Sequence, residues 1–231
     1  MYKMAIVVGI DGTGSAFLPG SGRDREYDVS FANSFISKIC KNGGPNKAYF
    51  RGPVALGGGL MEAINGGLQF IRNRRAARVM EPIVLTGYSR GAAGVVSLAA
   101  RLQRERIDVR AIMLFDCVDR HLAIDADVIP NNVGFVYHVI RDARSGSRES
   151  FGNDGMRYNR PTVFPNAYSF MCTHGGMGGC PWTPEPGQRM SDLIDEGGTD
   201  GMTNITFAND AAVSKQVWAH SEAFMRTHGF I

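Results

Sequence analysis

Apolar residues along this chain follow two alternating patterns. Continuous apolar runs, typical of strands that are buried on both faces, are followed by stretches in which apolar residues recur every three or four positions, as on one face of a helix. The runs predict strands over 4–9, 47–50, 83–85, 109–115 and 134–140. Because strands alternate with helices, we expect an α/β fold with a mostly parallel, doubly wound sheet and helices on both faces.

The helical spacing predicts the elements between and after these strands. The helices expected on this basis span 31–39, 61–71, 95–102, 188–196 and 213–225. Glycine, proline and aromatic residues interrupt the pattern between about 143 and 190, a stretch we call the irregular region. Long loops without periodicity of their own often form lids or binding loops. We therefore expect a single domain over 1–231 in which the irregular region forms a lid.

The expected strand over 83–85 leads into Gly87-Tyr88-Ser89-Arg90-Gly91, a G-x-S-x-G turn, and then into a helix. In a nucleophile elbow the serine lies on a sharp strand-to-helix turn, and its flanking positions need glycine because side chains there collide with neighbouring backbone. Ser89 is therefore the candidate nucleophile. The backbone amide of Arg90 is a candidate oxyanion donor. A purely structural turn is the alternative.

A glycine-rich turn, Asp11 to Gly14, follows the first expected strand. In a hydrolase the loop after an early strand supplies the second oxyanion amide, which here is that of Thr13 or a neighbour. The glycines also resemble a dinucleotide-binding turn, but Asp11 would set a carboxylate beside the phosphates and no G-K-[ST] follows. We favour the oxyanion loop because it alone connects with Ser89.

A serine nucleophile needs a histidine base and a carboxylate that orients it, in the chain order serine, acid, histidine. Asp116 is the first candidate acid because it follows the strand over 109–115, with Asp119 and Asp142 in reserve. His174 is the candidate base because it precedes a flexible glycine-rich loop. A metal site is the alternative for this histidine, and it lacks a fourth ligand. Its two partners would be Cys172 and Cys180.

Other residues fit these roles less well. His138 lies inside an apolar strand, and His220 and His228 lie on the closing helix, which usually carries no catalytic base in this fold. Asp142 has flanking arginines as ion-pair partners.

Composition restricts the function further. The net charge is +3, and the 25 lysines and arginines are dispersed apart from a short cluster over 72–78, which indicates a solvated helix face rather than a nucleic-acid site. The four cysteines form no C-x-x-C pair, so a reduced, cytoplasmic setting is expected, with signal-independent export left open. No apolar run approaches the ~18 residues that cross a bilayer, and we expect no transmembrane segment.

Several motifs together resemble an α/β-hydrolase family related to the catalytic domains of type VI secretion phospholipase effectors. The most specific is S-R-G-A, because a generic elbow does not require the arginine after the serine. The matching segments are D-G-T-G (11–14), L-T-G-Y-S-R-G-A-A-G (85–94), L-F-D-C-V-D (114–119), H-V-I-R-D-A-R-S-G-S-R-E-S-F (138–151) and T-H-G-G-M-G-G (173–179). The resemblance implies Ser89 as nucleophile, Asp116 as acid and His174 as base.

These observations predict a serine hydrolase that cleaves a lipid or small acyl ester through an acyl-enzyme. The expected site consists of Ser89, Asp116 and His174 with the amides of Thr13 and Arg90, and it needs no cofactor. An acyltransferase or thioesterase with the same triad is one alternative. A catalytically silent binding module that keeps the elbow for its fold is another. The sequence leaves the oligomeric state open.

Overall fold

The structure is a computed structural model. It describes residues 5–14, 24–41, 43–152, 155, 157–159, 162–164 and 166–231. Position 4, the expected start of the first strand, lies outside the described residues. So do several positions of the irregular region.

Six parallel strands form the central sheet. In chain order they are β1 (Ile6–Ile10), β2 (Lys47–Phe50), β3 (Ile83–Tyr88), β4 (Val109–Phe115), β6 (Val133–Arg141) and β8 (Tyr168–Phe170). Their order across the sheet is β2-β1-β3-β4-β6-β8, and every neighbouring pair is parallel. All five strands expected from the apolar runs belong to this sheet.

Two short strand pairs, six α-helices and two 3₁₀ helices, Ala143–Ser145 and Glu149–Phe151, complete the described elements. The small pairs are β5 (Val128–Ile129) with β7 (Arg157–Tyr158), and β9 (Leu193–Asp195) with β10 (Met202–Thr206). The helices are α1 (Asp24–Ser30), α2 (Phe35–Cys40), α3 (Leu60–Ala76), α4 (Arg90–Arg104), α5 (His174–Met177) and α6 (Phe207–His228).

The core has two layers, one on each face of the sheet. On one face, residues of α3 and α4 pack against alternate residues of the strands, with Ile64, Leu98 and Ile10 fully buried. On the other face, residues of α2 and α6 pack against the intervening strand residues, with Ile36 and Val217 fully buried. This arrangement confirms the expected α/β-hydrolase-like class, a parallel, doubly wound sheet with helices on both faces.

Two helix predictions were wrong. The helix expected over 31–39 begins only at Phe35, because residues 31–33 form a turn and Ser34 leaves the helical conformation. The hydroxyl of Ser34 accepts a hydrogen bond from the Ser37 amide at 3.0 Å, which caps α2. The helix expected over 188–196 contains turns and β9 instead, because that segment pairs antiparallel with β10. In both places a tertiary contact overrides the local apolar spacing, and at Ser34 that contact is the hydrogen bond from its hydroxyl to Asp11.

The winding reverses direction between β1 and β3. From β1 the chain moves outward to β2, and it then returns across β1 to β3 and continues toward the opposite edge. In open α/β sheets the crevice beyond the carboxyl ends of strands at such a reversal is where ligands bind. The loop containing Thr13 follows β1, and Ser89 follows β3, so both candidate elements lie at this crevice.

Candidate active site

Ser89 occupies a strained backbone position between β3 and α4. Its φ is 55° and its ψ is −128°, a region that non-glycine residues rarely adopt. The flanking glycines explain how the turn closes: a Cβ on Gly87 would lie 2.6 Å from backbone atoms of Ala92, and one on Gly91 would lie 2.2 Å from the carbonyl oxygen of Asp11. Close backbone approach is therefore possible only with glycine at both positions, as the G-x-S-x-G pattern indicated.

A continuous chain of hydrogen bonds joins Ser89, His174 and Asp116. The Nε2 atom of His174 lies 2.8 Å from Oγ of Ser89, and its Nδ1 atom lies 2.6 Å from Oδ2 of Asp116. Asp116 directly follows β4 and Ser89 directly follows β3, so neighbouring strand ends hold the two residues side by side. His174 is the first residue of α5 and is buried, with 8% of its surface exposed. The structure thus brings the three predicted residues together; their catalytic roles remain a prediction.

The electrostatics of Asp116 fix the tautomer of His174. Complete burial favours the neutral carboxyl and raises the pKa, but the hydrogen bond and charge of His174 and the charge of Arg141 outweigh it, so the pKa of Asp116 lies below its ordinary value. An ionised carboxylate accepts hydrogen bonds only. The imidazole therefore donates from Nδ1 to Asp116, which leaves Nε2 as the acceptor for the hydroxyl of Ser89.

Arg141, the last residue of β6, anchors Asp116 from the other side. Its Nη1 donates to Oδ2 of Asp116 at 2.6 Å, and its backbone amide donates to Oδ1 at 3.2 Å. The remaining donors of its guanidinium reach backbone carbonyls of the irregular region, including those of Ser147 at 2.8 Å and Arg148 at 2.8 Å. The buried carboxylate is therefore paired and hydrogen-bonded, as a buried charge requires.

Three further contacts fix the position of His174. Its backbone amide donates to Oγ of Ser147 at 2.8 Å, and Ser147 in turn donates to Oε1 of Glu196 at 2.9 Å. Its carbonyl accepts from the hydroxyl of Tyr88 at 2.9 Å. The ring of Phe151 meets the imidazole edge-on, with centroids 5.2 Å apart. Backbone and ring are thus both held in place around the Nε2 atom.

The short helix α5, which carries His174, is itself anchored by a buried carboxylate of α6. The hydroxyl of Thr173 accepts from the amide of Gly176 at 3.0 Å and donates to Asp210 at 2.9 Å. Asp210 also accepts from the amides of Thr173 at 2.8 Å and Trp182 at 2.9 Å. Asp210 of α6 therefore fixes residues on both sides of α5, the helix that carries the imidazole of His174.

The predicted oxyanion loop packs directly against the elbow. The carbonyl oxygen of Asp11 lies so close to Gly91 that any side chain at position 91 would collide with it. Thr13 lines the same cavity as Ser89 and Arg90. The carboxylate of Asp11 is fully buried and accepts from the amide of Gly12 at 2.9 Å, as the turn-capping interpretation predicted. It also accepts hydrogen bonds from two side-chain hydroxyls, those of Ser34 and Tyr49.

A cavity of about 360 Å³ opens over Ser89, in the size range of small-molecule sites. Its wall is both apolar and charged. The apolar part includes Val118, Phe151 and Trp182, and the last two belong to the irregular region. The charged part is formed by Arg90, Arg120, Arg148 and Glu196.

The reserve candidates lie outside the hydrogen-bonded chain. Asp142 is an ion-pair partner of Arg144 at 2.7 Å, as expected. Asp119 accepts from backbone amides of the loop after β4. His138 is fully buried within β6, where its Nε2 accepts from the amide of Cys117 at 3.2 Å. His220 and His228 lie on α6. Among the described residues, no group of histidine, cysteine or acidic side chains has a geometry that could hold a metal ion.

Sequence reasoning missed the residues that support the site. Arg141 was assigned only to a pair with Asp142, although its place at a strand end, next to the carboxyl ends of the other strands, was a usable signal. Ser147, Glu196 and Asp210 reach His174 or its helix from distant parts of the chain. No local pattern marks such contacts.

The comparisons with known proteins are distant. No protein-family model and no curated protein matches the sequence. A YdeN-like hydrolase from Pectobacterium atrosepticum aligns over 59% of this chain and 65% of its own, with 15% identity and a TM-score of 0.33. An uncharacterised protein from Pseudomonas aeruginosa aligns over 99% and 46%, with 14% identity and a TM-score of 0.38. An acetylxylan esterase aligns over 97% and 99%, with 12% identity and a TM-score of 0.32.

This chain therefore spans less than two thirds of the first of these neighbours and less than half of the second. At such low identity these likenesses carry no information about the activity of this chain. The resemblance to the effector-related family likewise stays a prediction. Separately, none of the helices in the described part of the chain is both long and apolar enough to span a membrane.

Proposed function

We propose that this chain is a serine hydrolase that cleaves a carboxylic ester through an acyl-enzyme. The observation that carries the proposal is the unbroken hydrogen-bonded path from Oγ of Ser89 through His174 to Asp116, with distances of 2.8 and 2.6 Å. A strained elbow, an ionised acid and a cavity over the hydroxyl support the same conclusion. Each is a feature that a serine hydrolase with a nucleophile elbow uses for acyl transfer.

In the proposed reaction Oγ of Ser89 attacks the acyl carbon while Nε2 of His174 takes its proton. The negative charge that develops on the carbonyl oxygen is stabilised by the backbone amides of Arg90 and of Thr13 or its neighbours, each worth about 3 kcal/mol of the barrier. The tetrahedral intermediate then expels the alcohol, which receives the proton from His174. A water activated by the same histidine attacks the acyl-enzyme, and this step releases the acid and regenerates Ser89.

Asp116 stays ionised throughout this cycle. It stabilises the imidazolium that forms after each proton transfer, and Arg141 keeps the carboxylate charged and oriented. The substrate belongs to the class of lipid or small acyl esters, and the phospholipase-like activity implied by the family resemblance is one member of that class. The region that includes Phe151 and Trp182 forms the lid of the cavity in this proposal.

A fluorophosphonate probe separates this proposal from a catalytically silent module. Wild-type protein should be labelled covalently and Ser89→Ala should not, because only a serine activated by a base reacts at an appreciable rate. Ser97→Ala is the matched control, since Ser97 lies on α4 outside the hydrogen-bonded chain of the site. A 4-nitrophenyl ester series from short to long acyl chains then measures turnover and chain-length preference. If the wild-type protein is neither labelled nor active, the silent-module alternative takes the place of the hydrolase.

A further inference from the structure

Three guanidinium groups line the cavity over Ser89, and their charges are compensated very differently. Arg148 has two acidic partners, with its Nη1 3.0 Å from Asp200 and its Nε 3.7 Å from Glu196. For Arg90 and Arg120 the described part of the chain offers no carboxylate at ion-pair distance. Within the described residues, these two positive charges at the cavity therefore have no negative counterpart.

Arg90 presents its guanidinium to the cavity from the first position of α4. Its Nη1 donates to the carbonyl of Ala55 at 2.7 Å, which fixes the group while other N–H donors stay available for a ligand. Partial burial and, after it, the charge of Arg120 lower the pKa of Arg90, although arginine remains a cation in proteins. The two guanidinium groups thus repel each other across the cavity.

Arg120 is held at the exposed rim by an aromatic ring. Its guanidinium carbon lies 5.2 Å from the centroid of Phe151, within the range of a cation–π interaction. The same ring meets the imidazole of His174 edge-on, with centroids 5.2 Å apart. The position of Arg120 is therefore tied to that of the proposed base.

The carboxylate that lines the cavity does not neutralise this pair. Both oxygens of Glu196 are engaged elsewhere: Oε1 accepts from Ser147 at 2.9 Å and Oε2 from the amide of Arg148 at 2.8 Å. Its ion-pair partner is likewise Arg148. A bound anion would remove the repulsion between the two remaining arginines and would use the planar donor geometry that suits phosphate and carboxylate groups.

We infer that Arg90 and Arg120 form an anion subsite beside Ser89, and that the substrate is an ester with a phosphate or carboxylate group close to its scissile bond. The inference rests on the proposed function for the identity of the reacting bond. It names the chemistry of the substrate beyond that bond. The anion lies on either the acyl or the alcohol side, and the tests below distinguish the two.

Binding is measured first, without turnover, by calorimetric titration of butyl phosphate and of 1-butanol into Ser89→Ala. Butyl phosphate should bind and butanol should not. Adding Arg120→Gln should weaken the binding about tenfold, the effect of one charge-assisted hydrogen bond. The control is Arg104→Gln, which removes the same charge from the exposed last turn of α4, about 20 Å away along the helix, and should leave the affinity unchanged.

Turnover is then compared within matched pairs of esters. On the acyl side, the 4-nitrophenyl monoester of adipic acid is paired with its methyl-capped diester. On the alcohol side, 1-butyrylglycerol 3-phosphate is paired with 1-butyrylglycerol. In at least one pair kcat/KM should be about tenfold higher for the anionic ester. The ratio of kcat/KM for the anionic ester to kcat/KM for the neutral ester should fall toward one in Arg120→Gln but not in Arg104→Gln. The same ratio should fall with added salt, because Arg120 is exposed.

The two proposals fail in different ways. If Ser89→Ala binds butyl phosphate with Arg120-dependent affinity and no ester is hydrolysed, the anion subsite stands and the hydrolase does not. If neutral and anionic esters are hydrolysed equally well in both pairs, the hydrolase stands and the subsite is overturned. Equal loss of binding in Arg120→Gln and Arg104→Gln would also overturn it, because it would reflect net charge rather than a site.

Discussion

Arg141 donates a hydrogen bond to the same carboxylate oxygen of Asp116 that faces His174, at 2.6 Å. A single oxygen thus connects the proposed triad to a buried guanidinium, which in turn holds the carbonyls of the irregular region. The acid of the site and the fold of the segment beside it therefore depend on the same residue.

Replacing Arg141 by methionine should reduce the free energy of unfolding by about 3–5 kcal/mol, because a buried carboxylate would lose its partner. Urea denaturation followed by circular dichroism measures the change. Arg144→Gln provides the comparison: its pair with Asp142 is exposed on the arginine side, and it should cost less than about 1 kcal/mol. Equal stability of the two variants would contradict the anchoring role of Arg141.

Asp116→Asn should lower kcat by about four orders of magnitude, because an amide no longer favours the tautomer in which Nε2 accepts from Ser89. Steady-state kinetics on the best ester of the 4-nitrophenyl series provides the measurement. Asp142→Asn should retain most of the activity, since among the described residues that carboxylate bonds only within its own loop to Arg144. A larger loss in Asp142→Asn than in Asp116→Asn would exclude Asp116 as the acid.

Ser147→Ala should lower kcat more than it changes KM, because it frees the backbone amide of His174 while Ser147 itself does not line the cavity. It should also cost about 1–3 kcal/mol of stability, since that amide and Glu196 lose a buried partner. Ser147→Thr keeps the hydroxyl and should restore much of the rate. Ser150→Ala, at an exposed serine bonded to Asp200, should behave as wild type in both measurements.

Stability should depend on pH through Asp11, whose pKa is raised by burial from 3.8 to about 7. The folded state then binds a proton more tightly than the unfolded state, so this contribution to stability is complete below pH 3.8 and is lost as the pH rises toward 7. Asp11→Asn should remove this pH-dependent loss of stability, because the side-chain amide of asparagine can still accept the hydrogen bond from the backbone of Gly12 and carries no charge.

Urea midpoints of wild type and Asp11→Asn, measured between pH 4 and 8, test this expectation. Burial also lowers the pKa of His138 and His228 to about 4, an effect of opposite sign that both proteins share. The difference between the two proteins is therefore the quantity to follow. A difference that stays constant with pH would contradict the prediction.

The sequence predicted those site residues that lie next to regular elements. Ser89 and Asp116 directly follow buried strands, and parallel strands bring their carboxyl ends to one edge of a sheet, so apolar runs and glycine spacing were enough to place them together. His174 was found because its glycine-rich surroundings set it apart from the other histidines.

The remaining features depend on contacts that no local pattern encodes. Ser34 breaks the expected helix because its hydroxyl bonds to Asp11, which is 23 positions away. The segment over 188–196 becomes a strand only because β10 pairs with it. Glu196 bonds to Ser147, which is 49 positions away, and Asp210 bonds to Thr173, which is 37 positions away. Such contacts form only once the chain is folded.

The φ angles of Ser89 and Asp116, 55° and 47°, are positive, so this protein gives up stability to hold the proposed nucleophile and the candidate acid. Each such position costs on the order of 1–3 kcal/mol relative to glycine. Ser89→Gly should therefore unfold at a higher urea concentration than Ser89→Ala, although both lack the nucleophile. At position 89 stability and the proposed chemistry thus make opposite demands: glycine would relieve the backbone but remove the hydroxyl, so selection for thermal resistance alone would favour its loss.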